Sequence, residues 1–255
     1  MAKIIGISGK KQSGKNTVAN YICGDVLHTL GMVKDFSLGE HGELVVKTSD
    51  SSGAVGWGVF DLLRKDADFV EYAEKELWPY VKIYHFADPL KQLCCDLFDI
   101  PESQLYGSNQ AKNQLTQYNW KDMPTATQGV EHNLTVRDFL QYFGTDLMRC
   151  IKDTVWVDYV LKKIAQEDPA IALIPDVRFP NEIDAIKNAG GIAMRLDRNI
   201  LESEHACEVS LDNDKFDWNK FDIVVNNDGQ TLDQLQNDLK QINQLWDINY
   251  ASNLR

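Results

Sequence analysis

No stretch of this 255-residue chain approaches the roughly 20 consecutive apolar residues that a membrane-spanning helix requires. The start, MAKIIGIS, lacks the apolar core and small-residue cleavage site of a secretory signal and reads instead as a first strand. Cysteine is scarce and odd in number, at 23, 94, 95, 150 and 207, with no C-x-x-C pair, so neither a disulfide framework nor a zinc site is expected, and a reducing cytoplasm is. Positive charge is also in deficit. The net charge of −12 disfavours any broad reader of the nucleic-acid backbone, but a few cations focused in a cleft can still bind a small anion. Arginine occurs only seven times, which makes its placement informative.

What is present is an alternation of strands and helices. KIIGIS (3–8) reads as a buried strand, and residues 15–30 as a helix with Val18, Ile22, Val26 and Leu30 on one stripe. Residues 31–80 change texture and read as an insertion: ELVVKT and AVGWGVF around a DSSG turn suggest a hairpin, and 61–78 a helix opened by Asp61. Strand-like VKIYHF, IALIP, GIAMRL and FDIVVNN are separated by helical segments at 87–98, 135–148, 153–166, 179–190 and 231–246. Residues 106–133 are polar and read as a long mobile loop near the acceptor side of a site. The alternation predicts one α/β domain over 1–255, with helices around a largely parallel sheet and ligands at the carboxyl ends of its strands.

Between the first strand and first helix lies GKKQSGKNT (9–17), with the Gly9-x-x-x-x-Gly14-Lys15 spacing of a phosphate-binding loop. Backbone N–H groups can cradle phosphate oxygens there, glycine permits the close approach, and Lys15 supplies charge to the outer phosphates, with Lys11 and Ser13 inside the loop. The expected hydroxyl after the lysine is replaced by Asn16. Thr17 follows, so Thr17, or water, is left to meet Mg²⁺. A glycine-rich strand-to-helix turn with an incidental lysine is the bland alternative.

Further segments sharpen the reading. FADPLK (86–91), TVRDFLQYFGTDLMR (135–149) with Trp156, IPDVRFPNEIDA (174–185), EHACE (204–208) and DIVVNNDGQTLDQL (222–235) follow the loop in order, and with it the chain resembles the T4-type bacteriophage deoxynucleoside monophosphate kinases. The resemblance implies a P-loop kinase fold, transfer of the γ-phosphoryl of ATP to a deoxynucleoside 5′-monophosphate with Mg²⁺, a homodimer, and no nucleic-acid or membrane partner.

Residue by residue, the resemblance places Lys15, Arg149, Asp176 and Arg178 at the catalytic centre. Asp176 directly follows IALIP, as a Walker B acid would, and is suited to orient Mg²⁺ or its water together with Thr17. Arg178 can grip a phosphate bidentately, or form a surface pair with Glu182. Gly9, Gly14, Asn16, Arg198 and Asn227 join the ATP side, the last as a backbone contact to adenine or a plain Asn-Asp-Gly turn. Asp88, Lys91, Arg137, Thr145, Asp146, Arg149 and Trp156 form the acceptor side. For Asp88 a helix cap is the alternative, for Lys91 and Arg137 solvation, and for Thr145 and Asp146 a turn or cap. His205 and Glu208 are expected in a loop-ordering role, Cys207 standing where the family carries a hydroxyl. Segments 106–133 and 198–215 are candidate lids. Two competing readings remain: a different small-molecule kinase of the dephospho-coenzyme A type, and a non-catalytic ATP-binding module.

Overall fold

The structure is a computed structural model and describes residues 1–49, 53–124, 131–198 and 209–247. Two compact units emerge: Met1–His85 with Lys162–Arg255, and Phe86–Leu161.

The first unit opens with β1 (Lys3–Gly9), whose Ile4, Ile5 and Ile7 are buried, and α1 (Lys15–Thr29). The insertion follows as β2 (Asp35–Leu38), β3 (Leu44–Ser49), β4 (Val55–Val59) and α2 (Ala67–Glu76), and β5 (Val81–Ile83) returns to the main sheet. The cap of α2 differs from expectation: Asp66, not Asp61, accepts the N–H of Phe69, so the helix starts about a turn later than its apolar spacing suggested. Strands β2, β3 and β4 form their own antiparallel sheet. This explains the second departure. Helix α1 shows the expected Val18–Ile22–Val26 stripe, but Tyr21, Cys23 and Leu27 are buried as well, because Phe36 and Leu44 of the inserted sheet join the core on its other side. A helix covered on two faces buries more than the one stripe its spacing marks out.

The second unit holds α3 (Asp88–Phe98), α4 (Glu102–Leu105), α5 (Asn109–Lys112), β6 (Leu115–Asn119) and β7 (Asn133–Thr135), then α6 (Val136–Gln141). Part of the expected loop at 106–133 is thus regular: β6 pairs antiparallel with β7, and Ser108 caps α5. Its core is aromatic, with Phe98, Phe139 and Phe143 ring centroids 5.0–6.0 Å apart. A capping box of Thr135 and Asp138 starts α6. The helix expected to run unbroken over 135–148 widens into a π-helical segment, Tyr142–Met148, before α7 (Arg149–Ile151). Helix α8 (Val155–Glu167) carries the chain across the unit boundary.

The first unit is completed by β8 (Ile171–Val177), α9 (Pro180–Asn188), β9 (Ile192–Asp197), β10 (Ile223–Asn226) and α10 (Leu232–Gln241). The main sheet runs β10-β9-β1-β8-β5, all parallel, which is the P-loop kinase arrangement read from the sequence. Its central strands β1 and β8 are buried along nearly their whole length and are largely apolar, as both-face burial demands. Each such side chain contributes about 1.5–3 kcal/mol by leaving water. After α10, Trp246 ties back to α1, its indole N–H donating to Asp25 at 2.8 Å. Burial, with Asp25 nearby, pushes the neighbouring Tyr21 phenol up to about 12.

Candidate active site

The loop between β1 and α1 is a strained backbone turn. Gln12 has φ of 61°, a left-handed value uncommon outside glycine, and Gly14, which caps α1, has φ of 97°. At Gly9 the constraint is space: a Cβ would lie 2.3 Å from Ser13 Oγ. Lys15 folds back across the loop and donates to the carbonyl oxygens of Gly9 (2.7 Å) and Lys10 (2.6 Å). Ser13 Oγ is fully buried without a hydrogen-bond partner among the described residues.

The loop is held from the far strand. Asn227, just past β10 and 4% exposed, donates from Nδ2 to the Ser13 carbonyl at 2.7 Å. This side-chain bond to the loop is distinct from the backbone contact to adenine, or plain turn, expected of the residue. Arg198, half-buried after β9, lines the same cavity as Asn227, Asn16 and Thr17. That cavity has a volume of about 480 Å³, within the range of small-ligand sites. Lys11 is half-buried in the loop and does not line it.

Three features were not read from the sequence. The β2–β3 turn contributes Glu40, His41 and Gly42 to the cavity wall. Asn20 of α1 donates to the Gly42 carbonyl at 2.8 Å, and Gly42, with φ of 81°, sits so close to Thr17 that a Cβ would come within 2.1 Å of its Oγ1. The start of α10 adds Gln230 and Thr231. Under the loop, Arg195 of β9 is 3% exposed. It donates to Ser8 Oγ at 3.0 Å, pairs with Asp212 at 3.5 Å and stacks its guanidinium over Trp218. Asp212 also meets Lys10 of the loop at 3.7 Å. Burial pulls the Arg195 pKa down, while Asp212 and Asp197 oppose it. A charged residue inside an otherwise apolar strand, AMRL, was the available signal.

At the adjacent strand end, Asp176 is half-buried in β8 and Arg178 follows it. The Glu182 carboxylate, buried, accepts the backbone N–H groups of Arg178 (2.7 Å) and Phe179 (3.1 Å), which starts α9. Ser210 Oγ donates to the Arg178 carbonyl at 2.5 Å. Among the described residues no group of three or more His, Cys, Asp or Glu side chains is arranged to hold a metal. His205, Cys207 and Glu208 lie outside the described residues.

All seven acceptor-side candidates fall in the second unit. Asp88 begins α3, whose N-cap position is Ala87, and faces Lys91 at 3.7 Å; Lys91 lies 4.3 Å from the Tyr106 ring centroid. Arg137 is tied down by Asn109 (2.9 Å) and Asn113 (3.3 Å), so it braces α5 against α6. Thr145 and Asp146 sit in the π segment, and half-buried Arg149 follows it, rotated relative to its place on an uninterrupted α-helix. Trp156 is buried and donates its indole N–H to the Gly144 carbonyl at 3.1 Å, satisfying an oxygen within that segment.

A family model described as deoxynucleotide monophosphate kinase matches residues 61–239. That match begins after the phosphate loop, so the two observations are independent. A relative from Acanthamoeba polyphaga mimivirus, described with the same activity, is 33% identical over 159 residues, 56% of this chain and 72% of its own. The deoxynucleoside-5′-monophosphate kinase of Escherichia phage T5 is 32% identical over 81 residues, 31% of this chain and 32% of its own. The deoxynucleotide monophosphate kinase of Enterobacteria phage T4 is 26% identical along 93% of this chain and 97% of its own. A loop geometry made for phosphate, on a parallel sheet and in a chain that the family model matches over 61–239, leads to one conclusion: the protein belongs to the deoxynucleotide monophosphate kinase family.

Proposed function

We propose that the first unit holds ATP and the second holds the deoxynucleoside 5′-monophosphate that receives its γ-phosphoryl, yielding ADP and the diphosphate. Family membership makes the chain an ATP-dependent phosphotransferase. The observation that carries it is Lys15 lying astride a loop whose buried Ser13 hydroxyl has no hydrogen-bond partner among the described residues. A buried hydroxyl without a partner is costly, and a phosphate oxygen seated in the loop supplies one. Lys15 then exchanges carbonyl oxygens for phosphate oxygens. The adenosine occupies the cavity beside the loop, between Arg198, Asn227 and the Glu40–Gly42 turn.

Phosphoryl transfer between two anions is mainly positioning and charge neutralisation. Lys15 and Arg178 serve the transferred group, and Arg149, with Lys91 beside Asp88, serves the acceptor phosphate. Arg137 and Trp156 act by holding the acceptor framework, given their protein partners. No general base is required, because the attacking phosphate oxygen is already ionised at neutral pH. Thr17 and Asp176 offer only oxygen ligands, the type Mg²⁺ takes, and would hold it partly through water. When bound, Mg²⁺ neutralises charge developing on the phosphates.

Coupled ADP release, run over dGMP, dTMP, dCMP, dAMP, their ribonucleotide forms and dephospho-coenzyme A, tests this. Release driven by at least one deoxynucleoside monophosphate is expected. Release driven only by dephospho-coenzyme A, or ATP binding with no acceptor-dependent release, would discard the reading.

A further inference from the structure

In β9, Met194 and Leu196 join the core around α1, so Arg195 between them faces the other side of the sheet. It stands in register with Ser8 of β1, the residue before Gly9, where the strand becomes the phosphate loop. Arg195 is almost completely buried, and a guanidinium does not shed its charge by losing a proton. Its Nη1 donates to Ser8 Oγ, its plane lies over the Trp218 ring, and its Nε has no hydrogen-bond partner among the described residues. Apolar side chains of similar volume often stabilise a fold as well as a buried ion pair does, or better. Stability therefore does not account for a charge at this place.

Asp212 connects that charge to the loop. One carboxylate oxygen faces Arg195 Nη2 at 3.5 Å and the other faces Lys10 Nζ at 3.7 Å. Its own turn fixes it: the Asp212 N–H donates to the Val209 carbonyl at 3.1 Å, and its carbonyl accepts the N–H groups of Lys215 and Phe216 at 2.9 Å each. The Trp218 indole N–H closes the same turn on the Leu211 carbonyl at 3.0 Å. Lys10, in turn, is the residue whose carbonyl accepts both Lys15 Nζ (2.6 Å) and the Ser13 N–H (3.2 Å). The side chains of Arg195, Asp212 and Lys10 thus sum to one positive charge at the bend of the loop. Without Arg195 the carboxylate would be matched by Lys10, and the sum would fall to zero beside a ligand with several negative charges. Asp197, at the end of β9, also favours the charged guanidinium and is common to every variant compared below.

We propose that Arg195 is a positioning residue for the phosphate donor: it holds and offsets the Asp212 carboxylate, so that Lys10 adds its charge to the phosphate loop. Arg195 does not line the nucleotide cavity, so it acts through Asp212 and Lys10 rather than by touching substrate. The inference rests on reading the loop as the ATP site.

The test is calorimetric binding of ATP with Mg²⁺ to the full chain, without acceptor, beside coupled ADP release. Arg195→Met keeps a long unbranched side chain against Trp218 and should preserve the circular dichroism. Its ATP dissociation constant should rise about 10-fold, the scale of one charge at partly screened distance, and by more at low than at high ionic strength. The KM for the acceptor should hold. Arg195→Met/Asp212→Asn removes the carboxylate too, and should bind ATP more tightly than Arg195→Met although a further contact is lost. Arg195→Lys keeps the charge and should stay closer to the parent. A merely structural role predicts the reverse: fewer active molecules at unchanged ATP affinity, and a double variant at least as impaired as the single. If Arg195→Met fails to fold, Lys10→Met poses the question from the loop side. It should weaken ATP binding to a similar extent, and Lys10→Met/Asp212→Asn, with Arg195 as the remaining cation of the three, should recover. ATP binding equal to the parent's in the folded single variant, or no recovery on adding Asp212→Asn, overturns the proposal. A parent that binds ATP without acceptor-dependent release removes the functional reading, while the binding comparison still decides the role of Arg195. A parent that binds no ATP removes both.

Discussion

On the proposed assignment, the two units take phosphate by different means. In the first, the phosphate loop is made of backbone: Gly9, Gly14, a left-handed Gln12 and the start of α1, with Lys15 folded across it. In the second, the acceptor candidates are side chains spread over α3, α6, the π segment and α7, and several are braced by other side chains, such as Arg137 by Asn109 and Asn113. A backbone cradle recognises phosphate as such and suits the donor tail. A side-chain set can be shaped to one acceptor. The donor side should therefore fail at one residue, and the acceptor side by degrees.

Lys15→Ala tests the first half of that contrast and carries the largest expected effect. Removing the cation that folds across the loop should cost at least about 100-fold in kcat, the scale of losing one group aimed at transition-state charge. Thermal stability should hardly change, because the loop stays fixed from β10 by Asn227. The measurement pairs coupled ADP release with a melting curve. Turnover near the parent rate would remove the donor assignment.

Arg149→Ala tests the second half. Loss of a charged hydrogen bond to phosphate is worth about 1.5–3 kcal/mol, so kcat/KM for the acceptor should fall roughly 10- to 150-fold while the KM for ATP holds. Arg137→Ala should fall less, since its visible partners are Asn109 and Asn113. If Arg149→Ala changes ATP affinity instead, the division of labour between the units is wrong.

That division also explains what the sequence revealed. The loop was legible because backbone conformation demands glycine at fixed offsets, and offsets survive in one dimension. The parallel sheet was legible for a related reason: strands buried on both faces are continuous apolar runs. Arg195 passed unnoticed because its partners, Ser8 and Asp212, are remote in sequence or lie in another segment, and only folding brings them together. The π segment was invisible because its extra residue per turn leaves the apolar spacing of YFGTDLM almost unchanged. Helix α1 misled in the opposite direction, showing a clean stripe while the inserted sheet buried its second face. The Glu40–Gly42 turn gave no sign of meeting the phosphate loop, since nothing local in HGE depends on Thr17.

That last contact allows a smaller and more discriminating test. At Gly42 two requirements coincide: φ of 81°, and no room for a Cβ beside Thr17 Oγ1. Gly42→Ala should cost about 1–3 kcal/mol, the sum of a left-handed alanine and a displaced threonine, lowering the melting temperature by several degrees. If the turn is also a wall of the donor cavity, the KM for ATP should rise a few-fold while acceptor kinetics hold. His41→Ala, exposed and free of that strain, separates the two effects, because it should raise the KM for ATP with no loss of stability. A Gly42→Ala enzyme that melts early but binds ATP normally, beside an indifferent His41→Ala, would make the inserted sheet a brace for α1 and confine donor recognition to the loop, Arg198 and the β10 end.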